Sequence, residues 1–90
     1  MKVVGGSASL PLARAIAREL SAPYVDASFE KHPGGFPDGE RYVRLLDSVA
    51  GEHVVLVQTT HPDAMAVEYF LLADAVRDGG AKRLTAVIPY

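Results

Sequence analysis

The chain has no cysteine among its 90 residues. A disulfide scaffold, thiolate zinc ligation and a cysteine nucleophile are therefore all excluded, and the absence fits a reducing compartment. Positive charge is not gathered anywhere. Nine Lys and Arg are interspersed with eleven Asp and Glu, for a net charge of −2. A protein held to nucleic acid by phosphate contacts would show a basic stripe, so this composition argues against that class. No uninterrupted apolar stretch approaches the roughly 18–20 residues that a membrane helix needs. Met1-Lys2-Val3-Val4 runs straight into a strand-like segment, without the basic and apolar regions of a signal peptide. A soluble, cytoplasmic protein with no membrane or nucleic-acid partner is expected. Repeats, low-complexity tracts and linkers are lacking as well. Ninety residues make one domain at most, and an apolar share of 49 % suits a modest packed core rather than a disordered chain.

What is present reads as alternating strands and helices. Residues 2–4 begin a short strand that Gly5-Gly6-Ser7 ends. Ser7 or Ser9 can cap the helix that follows, since a short hydroxyl accepts from free first-turn amides, and Pro11 suits that first turn. Leu12, Ile16 and Leu20 recur every four residues with Ala13 and Ala17 beside them, predicting an amphipathic helix with a narrow, Ala-rich contact stripe that Pro23 stops. Residues 24–29 read as a second strand. A polar, Gly/Pro-dense segment follows over residues 30–40, and residues 41–46 look extended again. Segments flanking such a loop often pair as a hairpin projecting from the main sheet. Val54-Val55-Leu56-Val57 has the continuous β-branched character of a strand buried on both faces of a parallel sheet. A second helix is expected over residues 62–78, closed by Gly79-Gly80 in a left-handed cap. Met65, Tyr69, Leu72 and Val76 line one face, while Val67, Phe70 and Leu71 make much of the rest apolar. Such a helix is buried on more than one side, against the sheet and a neighbour or a second subunit. Residues 84–88 form a last strand. The order β-α-β-(loop)-β-β-α-β, with right-handed crossovers, defines an α/β fold. Ligands in such sheets sit beyond the carboxyl ends of the strands. The chain ends at Tyr90, directly after a strand, so a fragment or isolated domain is expected.

Two segments could carry chemistry. The turn Gly5-Gly6-Ser7-Ala8-Ser9 lies between strand and helix, where backbone amides can hold a phosphate. It lacks the Gly-Lys-Ser/Thr ending of a P-loop and a full G-x-G-x-x-G; a tight turn with a serine cap is the simpler reading. Phe36-Pro37-Asp38-Gly39-Glu40 brings an aromatic ring, a sharp turn and two carboxylates together. A ring can stack on a flat base, and carboxylates or carbonyls accept from an exocyclic amine. Pro-Asp-Gly is also a strong turn sequence, and composition alone favours that plainer role. His32, His53 and His61 match no metal spacing and read as surface residues. Asp63, Glu68, Asp74 and Asp78 read as a solvated face or an interface.

Taken together these motifs are specific. Gly5-Gly6-Ser7, Phe36-Pro37-Asp38-Gly39-Glu40 with Tyr42-Val43-Arg44, Asp47-Ser48-Val49, Val57-Gln58-Thr59-Thr60, Leu72-Ala73-Asp74-Ala75 and the closing Lys82-Arg83-Leu84-Thr85-Ala86-Val87-Ile88-Pro89-Tyr90 occur in this order. Over all 90 residues the chain resembles the N-terminal domain of ribose-phosphate pyrophosphokinases, or phosphoribosyl pyrophosphate synthetases. The resemblance implies a parallel-sheet, phosphoribosyltransferase-like (Rossmann-like) domain with a projecting β-hairpin or loop. It also implies an enzyme that transfers the diphosphoryl group of ATP to the 1-hydroxyl of ribose 5-phosphate, with Mg²⁺ bound outside this chain. Phe36 would stack on adenine, and Asp38, Gly39 and Glu40 would bond its edge, for a site carried mainly by a neighbouring subunit of a homo-oligomer, at least a dimer. The family's Arg-Gln-Asp run and second domain would follow Tyr90, so these 90 residues are expected to hold no catalytic residue and no metal ligand, and to be inactive alone. Ala50 stands where many members have an arginine of a regulatory phosphate site, and it cannot pair with a phosphate. The alternatives are a non-catalytic, synthetase-associated regulatory or interaction protein of the same fold, and a phosphoribosyltransferase, for which the Phe36 to Glu40 turn would have no purpose.

Overall fold

The computed structural model describes residues 1–29 and 43–89. Within them lie β1 (Lys2–Gly5), α1 (Leu10–Glu19), β2 (Tyr24–Val25), β3 (Ala27–Ser28), β4 (Arg44–Leu45), β5 (His53–Val57), α2 (Asp63–Asp78) and β6 (Arg83–Val87). Four strands form one sheet in the order β2-β1-β5-β6, and every pair in it is parallel. β3 and β4 pair antiparallel as a separate two-stranded ribbon, Ala27 opposite Leu45 and Ser28 opposite Arg44. The expected single strand over residues 24–29 is thus two. Val25 is buried in the sheet, exposed Asp26 interrupts the run, and the chain leaves into the ribbon.

The β5 run meets its expectation: Val54, Val55, Leu56 and Val57 are all buried. Side chains alternate across a strand, so the run feeds two cores at once. Val54 and Leu56 join Val4, Val25, Val49, Leu72 and Val76 on the α2 side. Val55 and Val57 join Val3, Ala13 and Ala17 on the α1 side. Helices on both faces explain why β5 shows no polar alternation.

The Ala-rich contact stripe expected of α1 is the part that packs, and the leucines beside it stay out of the contact. Ala13 and Ala17 are buried, while Leu12 and Leu20 are exposed and Ile16 is half-buried. The cause is close approach. A Cβ placed on Gly5 would fall 2.5 Å from the Ala13 Cβ, so only small side chains fit between β1 and this helix. Nor does Pro23 end α1. Ser21 turns the backbone left-handed at φ 51°, and the Ala22 N–H donates to the Ala17 carbonyl, the wrap that satisfies the last free carbonyls of a helix. α2 matches its expected span and ends as anticipated, with Gly80 left-handed at φ 86°.

A clasp of polar contacts ties the start of β1 to the segment before β5. The Met1 ammonium meets Glu52 at 3.0 Å, and Lys2 Nζ donates to the Ser48 carbonyl at 2.7 Å. Gly51 N–H donates to the Gly80 carbonyl at 2.8 Å, joining this segment to the end of α2.

Candidate functional site

The crossover from β1 leads outward to β2 and the one from β5 leads outward to β6, on the opposite side. The carboxyl ends of β1 and β5 therefore flank the point where strand order reverses, which is where open α/β sheets form their ligand crevice. Gly5-Gly6-Ser7-Ala8-Ser9 follows β1 there, and Gln58-Thr59-Thr60 follows β5.

The crevice is filled from within by Glu68 of α2. Its side chain is fully buried, contrary to the expectation of a solvated or interface residue. The Ser7 N–H donates to Glu68 Oε2 at 2.7 Å, and the Ser7 hydroxyl reaches both carboxylate oxygens at 2.7 and 2.8 Å. Gln58 Nε2 donates to Oε2 at 2.7 Å. Donors converging on a carboxylate are what makes its burial tolerable. They explain how α2, otherwise apolar toward the sheet, carries an acid in its core. No local pattern announces this. The only clue is an acid at 68 within the arc of Met65, Tyr69 and Leu72, the positions expected to face the sheet.

This arrangement answers the phosphate question for the first turn. A βα turn that cradles phosphate points free amides outward. Here the Ser7 N–H and hydroxyl are already engaged by an internal anion, Gly6 N–H donates to the Val57 carbonyl, and Ser9 N–H donates to the Gly6 carbonyl. Ser9 stands at the helix N-cap, but its hydroxyl does not cap. It accepts from the Thr59 N–H at 3.0 Å, joining the two loops of the crevice. Neither serine therefore caps α1 as expected; each is drawn to a partner supplied by another element.

Gln58 is fully buried and packs on the bare Cα of Gly6, where any Cβ would overlap its carboxamide. Its Oε1 has no hydrogen-bond partner among the described residues. The orientation follows from the carboxylate: the amide nitrogen must face Glu68, because the flipped group would set carbonyl oxygen against carboxylate oxygen. The arrangement fastens β1, β5 and α2 together and pairs no base with a free nucleophile.

The remaining candidates are dispersed. Phe36, Asp38, Gly39 and Glu40 lie outside the described residues, as does His32. The β3–β4 ribbon that flanks that segment is described, and an open cavity of about 400 Å³ lies between its second strand and the C-terminal end of α2, lined by Arg44, Asp47, Ser48, Val49 and Gly79 among others. His53 bonds the Thr85 hydroxyl at 2.7 Å, and His61 is exposed. Asp63, Asp74 and Asp78 are exposed, as expected. No three His, Asp or Glu side chains gather as a metal site among the described residues, so the donors described here do not fit a divalent cation. No helix among the described residues is long and apolar enough to cross a membrane.

A parallel sheet covered by helices on both faces, with a ribbon leaving the edge strand and a crevice at the switch point, defines an α/β fold of the phosphoribosyltransferase type. The fold alone is shared with a purine phosphoribosyltransferase from Pyrococcus horikoshii, at a TM-score of 0.63 and 18 % identity over 94 % of this chain and 57 % of that one. A phosphoribosylpyrophosphate synthetase from Mycobacterium smegmatis is nearer, with a TM-score of 0.77 and 28 % identity over 99 % of this chain and 29 % of that one. A family model described as the N-terminal domain of ribose phosphate pyrophosphokinase matches residues 1–90. The chain belongs to that family. Among curated relatives, the ribose-phosphate pyrophosphokinase of Saccharolobus solfataricus is 44 % identical over 92 residues, covering all of this chain and 30 % of the relative. That of Granulibacter bethesdensis is 39 % identical, covering all of this chain and 28 % of the relative. The chain thus spans less than a third of the length of the curated relatives it matches.

Proposed function

We propose that this chain serves as the nucleotide-presenting domain of a cytoplasmic enzyme that transfers the diphosphoryl group of ATP to ribose 5-phosphate, yielding phosphoribosyl pyrophosphate for nucleotide synthesis. The observation that carries the reading is the filled crevice. With Glu68 on the Ser7 amide and hydroxyl, the switch-point turn has no cradle for the phosphates of ATP. Nucleotide contact then falls to the segment with an aromatic and two carboxylates, Phe36 to Glu40, which lies in sequence between β3 and β4. Phe36 stacks on adenine, and Asp38, Gly39 and Glu40 bond its amine and ring edge. Phosphate and Mg²⁺ are held elsewhere, by residues of a second domain, and the loop serves a site on the neighbouring copy of a homo-oligomer. Transfer of a phosphoryl-type group depends on clamped phosphates and neutralised charge. The 90 residues alone are therefore inactive.

The test is ATP binding by the full-length protein carrying Phe36→Ala. Loss of a stacked ring is expected to weaken binding by roughly tenfold or more, as base–aromatic stacking contributes about 1–3 kcal/mol. Unchanged affinity would remove the stacking role. Synthesis of phosphoribosyl pyrophosphate by the isolated 90-residue chain would overturn the division of labour.

A further inference from the structure

Three donors from two loops meet at the Glu68 carboxylate. The Ser7 N–H, the Ser7 hydroxyl and Gln58 Nε2 lie 2.7, 2.8 and 2.7 Å from Oε2, and the hydroxyl also lies 2.7 Å from Oε1. Ser7 belongs to the loop after β1 and Gln58 to the loop after β5. Each group presents a hydrogen to one point, an arrangement that suits an anion and not a cation. The surroundings are shaped to keep it so. Gly6 is bare, because any Cβ there would overlap the Gln58 carboxamide. Gln58 turns its nitrogen to the carboxylate although its own Oε1 is then buried without a partner among the described residues. A buried acceptor left unmatched is costly, so the anion is what holds the amide in this direction. Ser7 is exposed, whereas Glu68 reaches the donors from beneath and is fully buried.

We infer that Ser7 and Gln58 form a small-oxyanion site, and that Glu68 is the residue that decides what enters it. The internal carboxylate holds the place a phosphate group would take and keeps phosphate out. The inference rests on the reading of the crevice as filled, and adds the ligand class and the residue that excludes it. A phosphate approaching the turn meets a carboxylate already seated on the donors, and two anions at hydrogen-bond spacing repel. In the proposed function, this keeps the phosphates of ATP and ribose 5-phosphate from lodging where no chemistry follows.

The test removes the carboxylate and offers one from solution. Glu68→Ala in the full-length protein vacates the site, and hydrogen exchange at the Ser7 amide reads it locally. Exchange should quicken by roughly tenfold or more when the amide loses its acceptor. It should slow again with added formate, which supplies the missing carboxylate, and with added inorganic phosphate, in proportion to occupancy. Sodium chloride at equal ionic strength should give no protection, and the Ser7 amide of the parent should respond to neither anion. Glu68→Ser should behave in the same way; its hydroxyl keeps the vacated space polar, which guards against a failure to fold. Adding Ser7→Ala to Glu68→Ser removes one donor and leaves the amide, and should weaken anion binding by roughly tenfold. Absence of protection by both anions in both variants, equal protection by chloride, or the same response in the parent would overturn the inference. Protection by formate without phosphate would overturn the exclusion of phosphate. Phe36→Ala leaves the Ser7 amide unchanged, so failure of the adenine contact and failure of this site are told apart.

Discussion

Ser7 and Glu68, 61 positions apart in the chain, are joined by hydrogen bonds of 2.7 Å from both the amide and the hydroxyl of Ser7. This one relationship sets the character of the crevice. A loop whose outward donors would otherwise attract an anion from solution is given an anion by α2. The same carboxylate takes the Gln58 amide, so β1, β5 and α2 share a single buried acceptor.

Removing that acceptor has a definite consequence. In Glu68→Ala the Gln58 amide nitrogen loses its shortest contact and the Ser7 N–H is left without its carboxylate. The Gln58 amide is buried and keeps only longer contacts to Met65, and a buried donor short of its partner costs about 1–3 kcal/mol, whereas exposed Ser7 can turn its amide to water. A drop of about 1–3 kcal/mol in unfolding free energy is expected, read as a lower urea midpoint with an unchanged slope. Glu68→Gln keeps the shape and one acceptor and should lose less. A Glu68→Ala variant as stable as the parent would show that this buried carboxylate and its donors contribute nothing.

The Ala-rich stripe of α1 makes a paired prediction. Ala13→Leu forces a side chain into the narrow gap beside Gly5, and overpacking of this kind costs about 1–3 kcal/mol. Leu12→Ala removes a side chain that is 41 % exposed and should cost under about 1 kcal/mol. The reverse ranking in a denaturation series would mean that leucine, not alanine, faces the sheet.

The terminal clasp gives a pH dependence. The Glu52 carboxyl is held below its ordinary value of 4.5, first by the hydrogen bond from the Met1 ammonium and then by that group's charge, with burial opposing and Lys2 adding a smaller pull. A carboxyl with a lowered folded-state pKa stabilises the fold fully above its unfolded value, and the contribution disappears as pH falls through the folded value. Glu52→Gln should therefore be less stable than the parent at neutral pH. The gap in urea midpoint should begin to close as pH falls below about 4.5, the ordinary value for this group, and vanish once pH has passed through the lower folded value. The exposed position keeps the difference small. A gap that does not narrow at any pH below that ordinary value would assign the effect to something other than this ion pair.

Much of the architecture was legible in the residues because it is encoded locally. Val54 to Val57 could only be a strand covered on both sides, and it is. The span of α2 and its left-handed glycine closure followed from apolar periodicity and Gly79-Gly80. The break at Asp26 was less accessible. Strand propensity over residues 24–29 is continuous, and only the pairing of Val25 with β1 and of Ala27 with β4 divides it.

By itself the sequence determined the order of strands and helices, the double-sided burial of β5 and the family, since periodicity, turn residues and motif spacing are properties of neighbouring positions. Tertiary structure alone decided that the leucines of α1 stay out of its contact with the sheet and what occupies the crevice. The first depends on how closely a helix can approach Gly5, a distance that no helical period contains. The second depends on Ser7, Gln58 and Glu68 converging from three elements. In the sequence they are a turn serine, a strand-end glutamine and a helix acid. Only burial together makes each the condition for the others to be there.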